Sequence, residues 1–203
     1  MKTKIKICGL KSLRDIEIVN KYPVDYVGFV FAESKRKVSI HEAKAMVEVL
    51  RKDIKAVGVF VNTPPEEINK IVDYCKLDIV QLHGNETLEE CEKIKASIWK
   101  SISVKEKADA AKIELYKNTQ GILLDGIKPG SGECFNWDLA KGISDKYFTI
   151  LAGGLTPENV SNAIQEVKPQ VVDVSSGVET DSIKDEEKIR EFARRVKREG
   201  FIA

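Results

Sequence analysis

Cysteine and histidine are scarce in this sequence. The 203 residues include four cysteines and two histidines: Cys8, Cys75, Cys91, Cys134, His41 and His83. No two cysteines form a CxxC pair, and the six residues together do not have the spacing of a zinc site. We therefore expect no disulfide framework, no structural metal and no cofactor held by thiolates.

Long apolar runs and an excess of one charge are also missing. Nowhere do about 18 uncharged apolar residues follow one another, as a membrane-spanning helix requires. The opening MKTKIKICGL has no apolar run long enough for a signal peptide. Lys and Arg number 33 against 32 Asp and Glu, without a basic stripe interleaved with aromatics. We expect a cytoplasmic protein that binds neither nucleic acid nor membrane.

What the sequence does have is a regular alternation of short β-branched or apolar runs with charged, helix-like stretches, which is typical of βα units in a parallel sheet. Start signals precede several of the helical stretches: Ser12, Ser39, Thr63 with Pro64, Thr156 with Pro157, and Asp185. The runs predict eight strands: Lys4–Cys8, Asp25–Phe31, Lys55–Val61, Asp78–His83, Ile98–Ile102, Gly121–Asp125, Phe148–Ala152 and Val171–Ser175.

The number of strands decides the fold class. An open doubly wound sheet usually has five or six strands, whereas eight in about 200 residues match a small barrel. A hydrophobic fraction of 42% is enough for one core. We predict a single α/β domain over residues 1–203, a (β/α)₈ barrel whose chemistry lies where strands run into the following loops.

Two of these loops have the character of an anion site. LAGGL runs from the seventh strand into the helix start TPENV, and VSSGVE follows the eighth strand. Glycine N–H groups can approach a phosphate closely, and a helix N-terminus adds a favourable dipole. The alternative is that the glycines only make tight turns. Because both loops have the pattern, we favour a phosphate site.

The first strand carries the clearest reactive side chain, Cys8. Side chains alternate along a strand, so Cys8 shares a face with Lys6. Barrel closure makes the eighth strand a neighbour of the first, and pairing Lys6 with Asp173 inside the barrel avoids an unpaired buried charge. A cation beneath Cys8 should lower the pKa of its thiol towards neutrality and make it a base or nucleophile. The alternative is a buried structural cysteine.

Asp125 and Arg36 are the other candidates. Asp125 ends the apolar strand GILLD, where a carboxylate has no packing role, and it is a natural acid partner for Cys8 across the barrel mouth. Its alternative role is a turn former before Gly126. Arg36 has the planar fork that suits a substrate carboxylate, but charge alone does not separate it from Lys35 and Lys37.

The sixth loop, DGIKPGSGECFNW, is longer than a connection requires and holds Gly126, Gly130 and Gly132. We interpret it as a mobile lid, with a plain irregular loop as the alternative. His83 ends the fourth strand. His83 can either line the site or be a structural residue whose hydrogen bonds are satisfied. We assign it no catalytic role.

Seven segments in this order resemble phosphoribosylanthranilate isomerase along the whole chain. They are KICGL at 6–10, DYVGFVF with SKRKVS at 25–39, VGVFVN at 57–62, VQLHG at 80–84, GSGECFNW at 130–137, LAGGLTPENV at 151–160 and VDVSSGVE at 172–179. The sixth loop departs from the family's GGTG or GGSG with Pro129 before Gly130, and Ser182 stands where many relatives have glycine.

The resemblance implies a (β/α)₈ barrel of tryptophan biosynthesis that catalyses an Amadori rearrangement of a phosphorylated small molecule, without cofactor or metal. It implies that Cys8 is the general base, Asp125 the general acid and Arg36 the anthranilate-binding residue. It places the phosphate contacts on the seventh and eighth loops, at Gly153, Gly154, Ser175, Ser176 and Gly177. The oligomeric state, monomer or homodimer, stays open.

Two other functions fit the sequence less well. Indole-glycerol-phosphate synthase, another phosphate-binding barrel of the same pathway, would require lysine and glutamate groups at strand ends that the sequence does not offer. A catalytically silent barrel that only binds a sugar phosphate or a protein is disfavoured because Cys8 and Asp125 are both present.

Overall fold

Eight parallel strands form a barrel in the computed structural model, which describes residues 2–104, 110–126 and 137–199. The strands are β1 (Lys4–Cys8), β2 (Tyr26–Val30), β3 (Lys55–Phe60), β4 (Ile79–Leu82), β5 (Ser97–Ser103), β6 (Gly121–Asp125), β7 (Thr149–Leu151) and β8 (Val171–Val174). Each pairs with its neighbours in the sequence, and β1 also pairs with β8, which closes the ring. The predicted barrel is confirmed, and no strand end differs from its prediction by more than one residue.

Helices connect the strands on the outside of this ring. They are α1 (Leu13–Asn20), α2 (Ile40–Glu48), α3 (Pro65–Cys75), α4 (Leu88–Glu92), α5 (Ala110–Leu115), α6 (Val160–Val167) and α7 (Glu186–Glu199). The described part of the connection between β6 and β7 contains a 3₁₀ turn at Trp137–Leu139. None of the described helices is long and apolar enough to cross a membrane.

The predicted helix starts are confirmed in three places. Ser12 and Ser39 cap α1 and α2, each in a capping box with an acidic residue three positions on. Asp185 precedes α7, and its Oδ1 accepts the N–H of Lys188. These caps satisfy N–H groups that the first helical turn leaves without a partner.

Two further predicted starts are confirmed only in part. α3 begins at Pro65, directly after Thr63 and Pro64 as predicted, but Pro64 occupies the N-cap and offers no side-chain hydrogen bond. α6 begins at Val160, beyond Pro157. Thr156 nevertheless makes the contacts of a helix start: its carbonyl oxygen accepts the N–H of Val160 at 3.1 Å, and the side chain of Asn159 accepts the N–H of Thr156 at 2.8 Å.

The barrel interior changes character along its axis. A cluster of apolar side chains fills it from the amino-terminal end of the strands up to the cavity, which Ala152 lines: Tyr26, Val57, Ile79, Trp99, Leu123, Ile150, Ala152 and Val171. Three of them, Tyr26, Ile79 and Val171, are the first residues of their strands. The other end, where the strands terminate, carries polar and charged side chains around a cavity. The apolar plug therefore confines the chemistry to the carboxyl ends of the strands.

A short hairpin after β8 was not predicted. Its strands, β9 (Glu179–Thr180) and β10 (Ile183–Lys184), pair in antiparallel fashion, with Glu179 opposite Lys184. Asp181 and Ser182 between them have φ values of 51° and 62°, in the left-handed region that glycine enters most easily. This backbone explains why glycine suits the position of Ser182 in the resembling family.

Candidate active site

The carboxyl ends of the strands surround a cavity of about 230 Å³. Seven of the eight residues predicted for the site line it: Cys8, Arg36, Asp125, Gly153, Gly154, Ser175 and Ser176. Going from β6 to β1 around the ring, only β7 and β8 intervene between the strands of Asp125 and Cys8. Both side chains therefore face one space from different walls.

Beneath Cys8 lies the predicted ion pair. Lys6 and Asp173 are register partners on β1 and β8, and Lys6 Nζ lies 2.8 Å from Asp173 Oδ2. Lys6 is fully buried, whereas Asp173 reaches the cavity. The second oxygen of Asp173, Oδ1, is buried and accepts no hydrogen bond from the described residues.

The expected effect of this pair on Cys8 is not what the structure indicates. Burial raises the pKa of the Cys8 thiol, and although Lys6 and Lys184 lower it, the net pKa lies above its ordinary value. Two facts explain the difference: desolvation of the thiol outweighs the lysines, and Asp173 partly cancels the influence of Lys6. Gly28 packs closely against the thiol, since a Cβ there would lie 2.7 Å from Cys8 Sγ.

Asp125 combines the two roles considered for it. Its Oδ1 accepts the N–H of Gly126 at 2.8 Å, as a turn former would. Its Oδ2 lies 3.4 Å from Nε2 of His83. The amide nitrogen of Gln81 lies 3.1 Å from the other ring nitrogen, Nδ1. If that amide donates, Nδ1 is the acceptor and Nε2 carries the proton that points to Asp125.

Arg36 is held by a residue outside the predicted site. Its Nε and Nη2 donate to the two carboxylate oxygens of Glu179, at 2.8 and 2.7 Å. Lys184 contacts the same carboxylate at 2.7 Å. Burial raises the pKa of Glu179, but the hydrogen bonds and charges of Arg36 and Lys184 outweigh burial and hold this pKa at about 2.

The seventh and eighth loops meet at the same rim. Gly153 and Gly154 have φ values of 82° and 64°, so both use a backbone conformation that suits glycine. Gly177, the eighth predicted residue, packs the two loops together: a Cβ there would lie 1.9 Å from the carbonyl oxygen of Leu155. Ser175 donates its hydroxyl to the carbonyl oxygen of Cys8 at 3.0 Å, which ties the eighth loop to the first strand.

A family model described as N-(5'-phosphoribosyl)anthranilate (PRA) isomerase matches residues 5–195. The chain belongs to this isomerase family. PRA isomerase of Clostridium acetobutylicum is 46% identical over 202 residues, with 96% of this chain and 98% of the relative covered. The Acetivibrio thermocellus enzyme is 47% identical, with 96% of each chain covered.

Solved PRA isomerases have the same fold. The crystal structure from Thermotoga maritima superposes with a TM-score of 0.91 at 38% identity, over 96% of this chain and 98% of that one. Another PRA isomerase, solved in complex with reduced 1-(o-carboxyphenylamino)-1-deoxyribulose 5-phosphate, gives a TM-score of 0.88 at 38% identity, with the same coverage of both chains.

Two residues of this site, Gln81 and Glu179, were not singled out from the sequence, and His83 was left open between a place in the site and a structural role. The structure places Gln81 and His83 on the lining of the cavity, at the end of β4 and just after it. Because side chains alternate along a strand, residues two apart point the same way, and this could have led from His83 to Gln81. Glu179 could not be found from the sequence, because its strand, β9, is only two residues long and is too short to show an alternation of side chains. The lid predicted around Gly130 and Gly132 falls on residues outside the described ranges, as does Cys134.

Metal binding has no support from the described side chains. In residues 2–104, 110–126 and 137–199, no group of three His, Cys, Asp or Glu residues is arranged to hold an ion. The polar groups around the cavity are instead suited to receive anions and to exchange protons: a guanidinium, backbone N–H groups, hydroxyls, a thiol and a carboxyl.

Proposed function

We propose that this chain isomerises N-(5'-phosphoribosyl)anthranilate to 1-(2-carboxyphenylamino)-1-deoxyribulose 5-phosphate by general acid–base catalysis, with Asp125 as the acid and Cys8 as the base. The placement of these two side chains around one cavity carries the proposal. An Amadori rearrangement needs a proton delivered at one end of the sugar and removed at a neighbouring carbon, which two groups on different walls can do.

Asp125 acts first. Its carboxyl group gives a proton to the furanose ring oxygen, the bond from that oxygen to C1 breaks, and the nitrogen lone pair forms the C1=N bond of a Schiff base. Asp125 is left as a carboxylate, which the N–H of Gly126 at 2.8 Å and the ring of His83 at 3.4 Å can stabilise.

Cys8 acts second. Its thiolate removes the proton from C2, the electrons of the C–H bond form the C1=C2 double bond, and the electrons of C1=N return to nitrogen. The resulting enolamine takes a proton at C1 and loses its hydroxyl proton, which gives the aminoketose. A raised thiol pKa makes the thiolate scarcer but also a stronger base once it forms. Hydrogen only moves within the substrate, so the reaction requires no redox cofactor.

The remaining groups hold the ends of the substrate. Arg36 pairs with the anthranilate carboxylate, for which its planar fork is suited. The phosphate binds at the rim made by the seventh and eighth loops, where the predicted contacts are Gly153, Gly154, Ser175, Ser176 and Gly177. Four of these five residues line the cavity, and Gly177 supports the rim from behind.

The setting of the reaction is also a proposal. We place the enzyme in the cytoplasm, without a membrane partner, in line with the lack of a long apolar run in the sequence. Its balanced charges argue against a nucleic-acid partner. Monomer and homodimer both fit. A solved relative from Thermotoga maritima consists of monomers generated from a dimeric PRA isomerase.

Loss of the fluorescence of the anthranilate derivative measures the reaction. Cys8→Ala and Asp125→Ala should each lower kcat by about 10²–10⁴-fold, because each removes one proton-transfer group. Cys75→Ala is the matched control, since Cys75 is a buried thiol on α3 that does not line the cavity. Equal kcat values for the wild type, Cys8→Ala and Asp125→Ala would overturn the mechanism. A wild type without turnover that still binds the substrate would favour the silent barrel.

A further inference from the structure

The hairpin after β8 holds a carboxylate against the guanidinium of Arg36. We infer that Glu179 is a positioning residue that fixes Arg36 as a preorganised receptor for the carboxylate of the substrate. The inference rests on the proposed function, because it takes Arg36 as the group that binds this carboxylate.

The contact between the two residues is two-pronged. Glu179 accepts from Nε and Nη2 of Arg36 at 2.8 and 2.7 Å, so the two planar groups are fixed relative to each other. A guanidinium has five N–H donors, and Glu179 uses two of them. The other three make no hydrogen bond to the described residues, and Arg36 lines the cavity. One edge of the guanidinium therefore binds Glu179, and another edge is available to a second carboxylate.

Glu179 is itself firmly held. Lys184, its partner across the hairpin, lies 2.7 Å from Oε1 and also donates to the carbonyl oxygen of Ser175 at 3.1 Å. Lys188 of α7 donates to the backbone carbonyl of Glu179 at 2.7 Å. The carboxylate is 6% exposed, so solvent screens these contacts little.

The stem of Arg36 is also confined. A Cβ on Gly9 would lie 2.4 Å from Arg36 Cδ, so the arginine packs directly over the residue that follows Cys8. Gly9 has a φ of 77°, a conformation that keeps this close approach open to glycine. The carboxylate receptor is thus joined both to the hairpin and to the end of the strand that carries the proposed base.

The charges of the cluster are consistent with this role. Arg36 and Lys184 bring two positive charges to one negative charge on Glu179, which leaves one positive charge for an anionic substrate group. Without the carboxylate, the two cations would repel each other, and the guanidinium would lose the partner that sets its plane. A neutral Glu179→Gln side chain keeps the size but places an NH₂ group against N–H donors.

The test separates KM from kcat for the wild type, Glu179→Gln, Glu179→Asp, Arg36→Ala and the double variant Arg36→Ala/Glu179→Gln. We expect Glu179→Gln to raise KM by about tenfold to hundredfold with a smaller change in kcat, since it weakens a charge-assisted contact. Glu179→Asp, which keeps the charge, should recover part of the loss. In the Arg36→Ala background the Glu179→Gln change should add less than about twofold, because the two residues act as one unit.

A purely structural role is distinguished with a substrate analogue. N-(5'-phosphoribosyl)aniline lacks the carboxylate, so Glu179→Gln and the wild type should bind it with the same affinity. Competitive inhibition by inorganic phosphate should also be unchanged, which shows that the phosphate rim is intact. If Glu179→Gln fails to fold, Glu179→Asp carries the same comparison at a smaller amplitude.

Two results would overturn the inference. One is an equal loss of affinity for the substrate and the aniline analogue in Glu179→Gln and Glu179→Asp. The other is a full, additive effect of Glu179→Gln in the Arg36→Ala background. If Arg36→Ala leaves KM unchanged, the proposed carboxylate site fails, and the inference fails with it. If Arg36→Ala raises KM but Glu179→Gln does not, the inference alone fails.

Discussion

The two walls of the cavity are built differently. On the wall of β1 and β8, charged side chains lie in direct contact: Lys6 pairs with Asp173, and Glu179 pairs with both Lys184 and Arg36, which reaches over from the loop after β2. On the wall of β4 and β6, Asp125 is contacted by one backbone N–H and by a histidine at 3.4 Å. In the described residues no lysine or arginine forms an ion pair with Asp125.

The difference corresponds to the proposed roles. A permanent cation beside a carboxyl group favours its ionised form, so it would hinder a carboxyl that must carry a proton as a general acid. A base and an anion receptor gain from fixed charges that set their position before the substrate arrives. We therefore regard the first wall as a rigid charged scaffold and the second wall as a proton-exchanging pair.

Removing Asp173 should have the largest effect on the first wall. Asp173→Asn leaves the fully buried Lys6 without a counter-ion, and we expect it to lower the free energy of unfolding by about 3–5 kcal/mol. Urea unfolding followed by circular dichroism measures it. Lys21→Met is the control: it breaks the exposed pair with Glu186, where Lys21 is 57% exposed, and should leave the free energy of unfolding nearly unchanged. Equal losses in both variants would contradict the scaffold description.

On the second wall a smaller effect is expected from the histidine. His83→Asn removes the ring beside Asp125 but leaves the carboxyl and its contact with Gly126 in place. We expect kcat to fall by about tenfold, the loss of one modest hydrogen bond in the transition state, with KM little changed. Gln81→Leu should lower kcat in the same direction if its amide sets the ring tautomer. A kcat that survives both substitutions would leave Asp125 as the only functional group of this wall.

The smallest expected effect is a shift in the pH at which the Cys8 thiol ionises. Because the pKa of Cys8 is raised, its thiol stays protonated to higher pH than an ordinary cysteine. The rate of alkylation by iodoacetamide at Cys8, followed by peptide mass spectrometry, should therefore have a midpoint above about 8.5 in the folded protein. In the urea-unfolded chain the midpoint should return to about 8.5. A folded midpoint at or below that value would mean that the cations of the first wall outweigh burial.

The sequence was sufficient for the barrel because its signal is repeated eight times. Each strand is an apolar run between polar segments, so local pattern and global fold agree, and an error at one strand end does not propagate. The first residue of α6, Val160, lies beyond the predicted start, although Thr156 makes the backbone contacts of a helix start with Asn159 and Val160.

The sequence predicts which strand ends form the site, but it predicts only some of the contacts between their side chains. The pairing of Lys6 with Asp173 followed from register and closure alone. The direction of the pKa shift of Cys8 did not follow in this way, because it depends on the balance between desolvation of the thiol and the charges of Lys6, Lys184 and Asp173. The contact between Arg36 and Glu179 joins residues 143 positions apart through a hairpin too short to have a pattern.

A crystal structure of this chain with reduced 1-(o-carboxyphenylamino)-1-deoxyribulose 5-phosphate would test most directly whether the two walls work on one substrate. C2 of the sugar should lie about 3–3.5 Å from Cys8 Sγ. The oxygen that closed the furanose ring should face Asp125, the carboxylate should contact Arg36, and the phosphate should lie at the rim of Gly154 and Ser176. A ligand whose C2 contacts neither wall, or whose carboxylate and phosphate ends are exchanged, would contradict the assignment of Cys8 as base and Asp125 as acid.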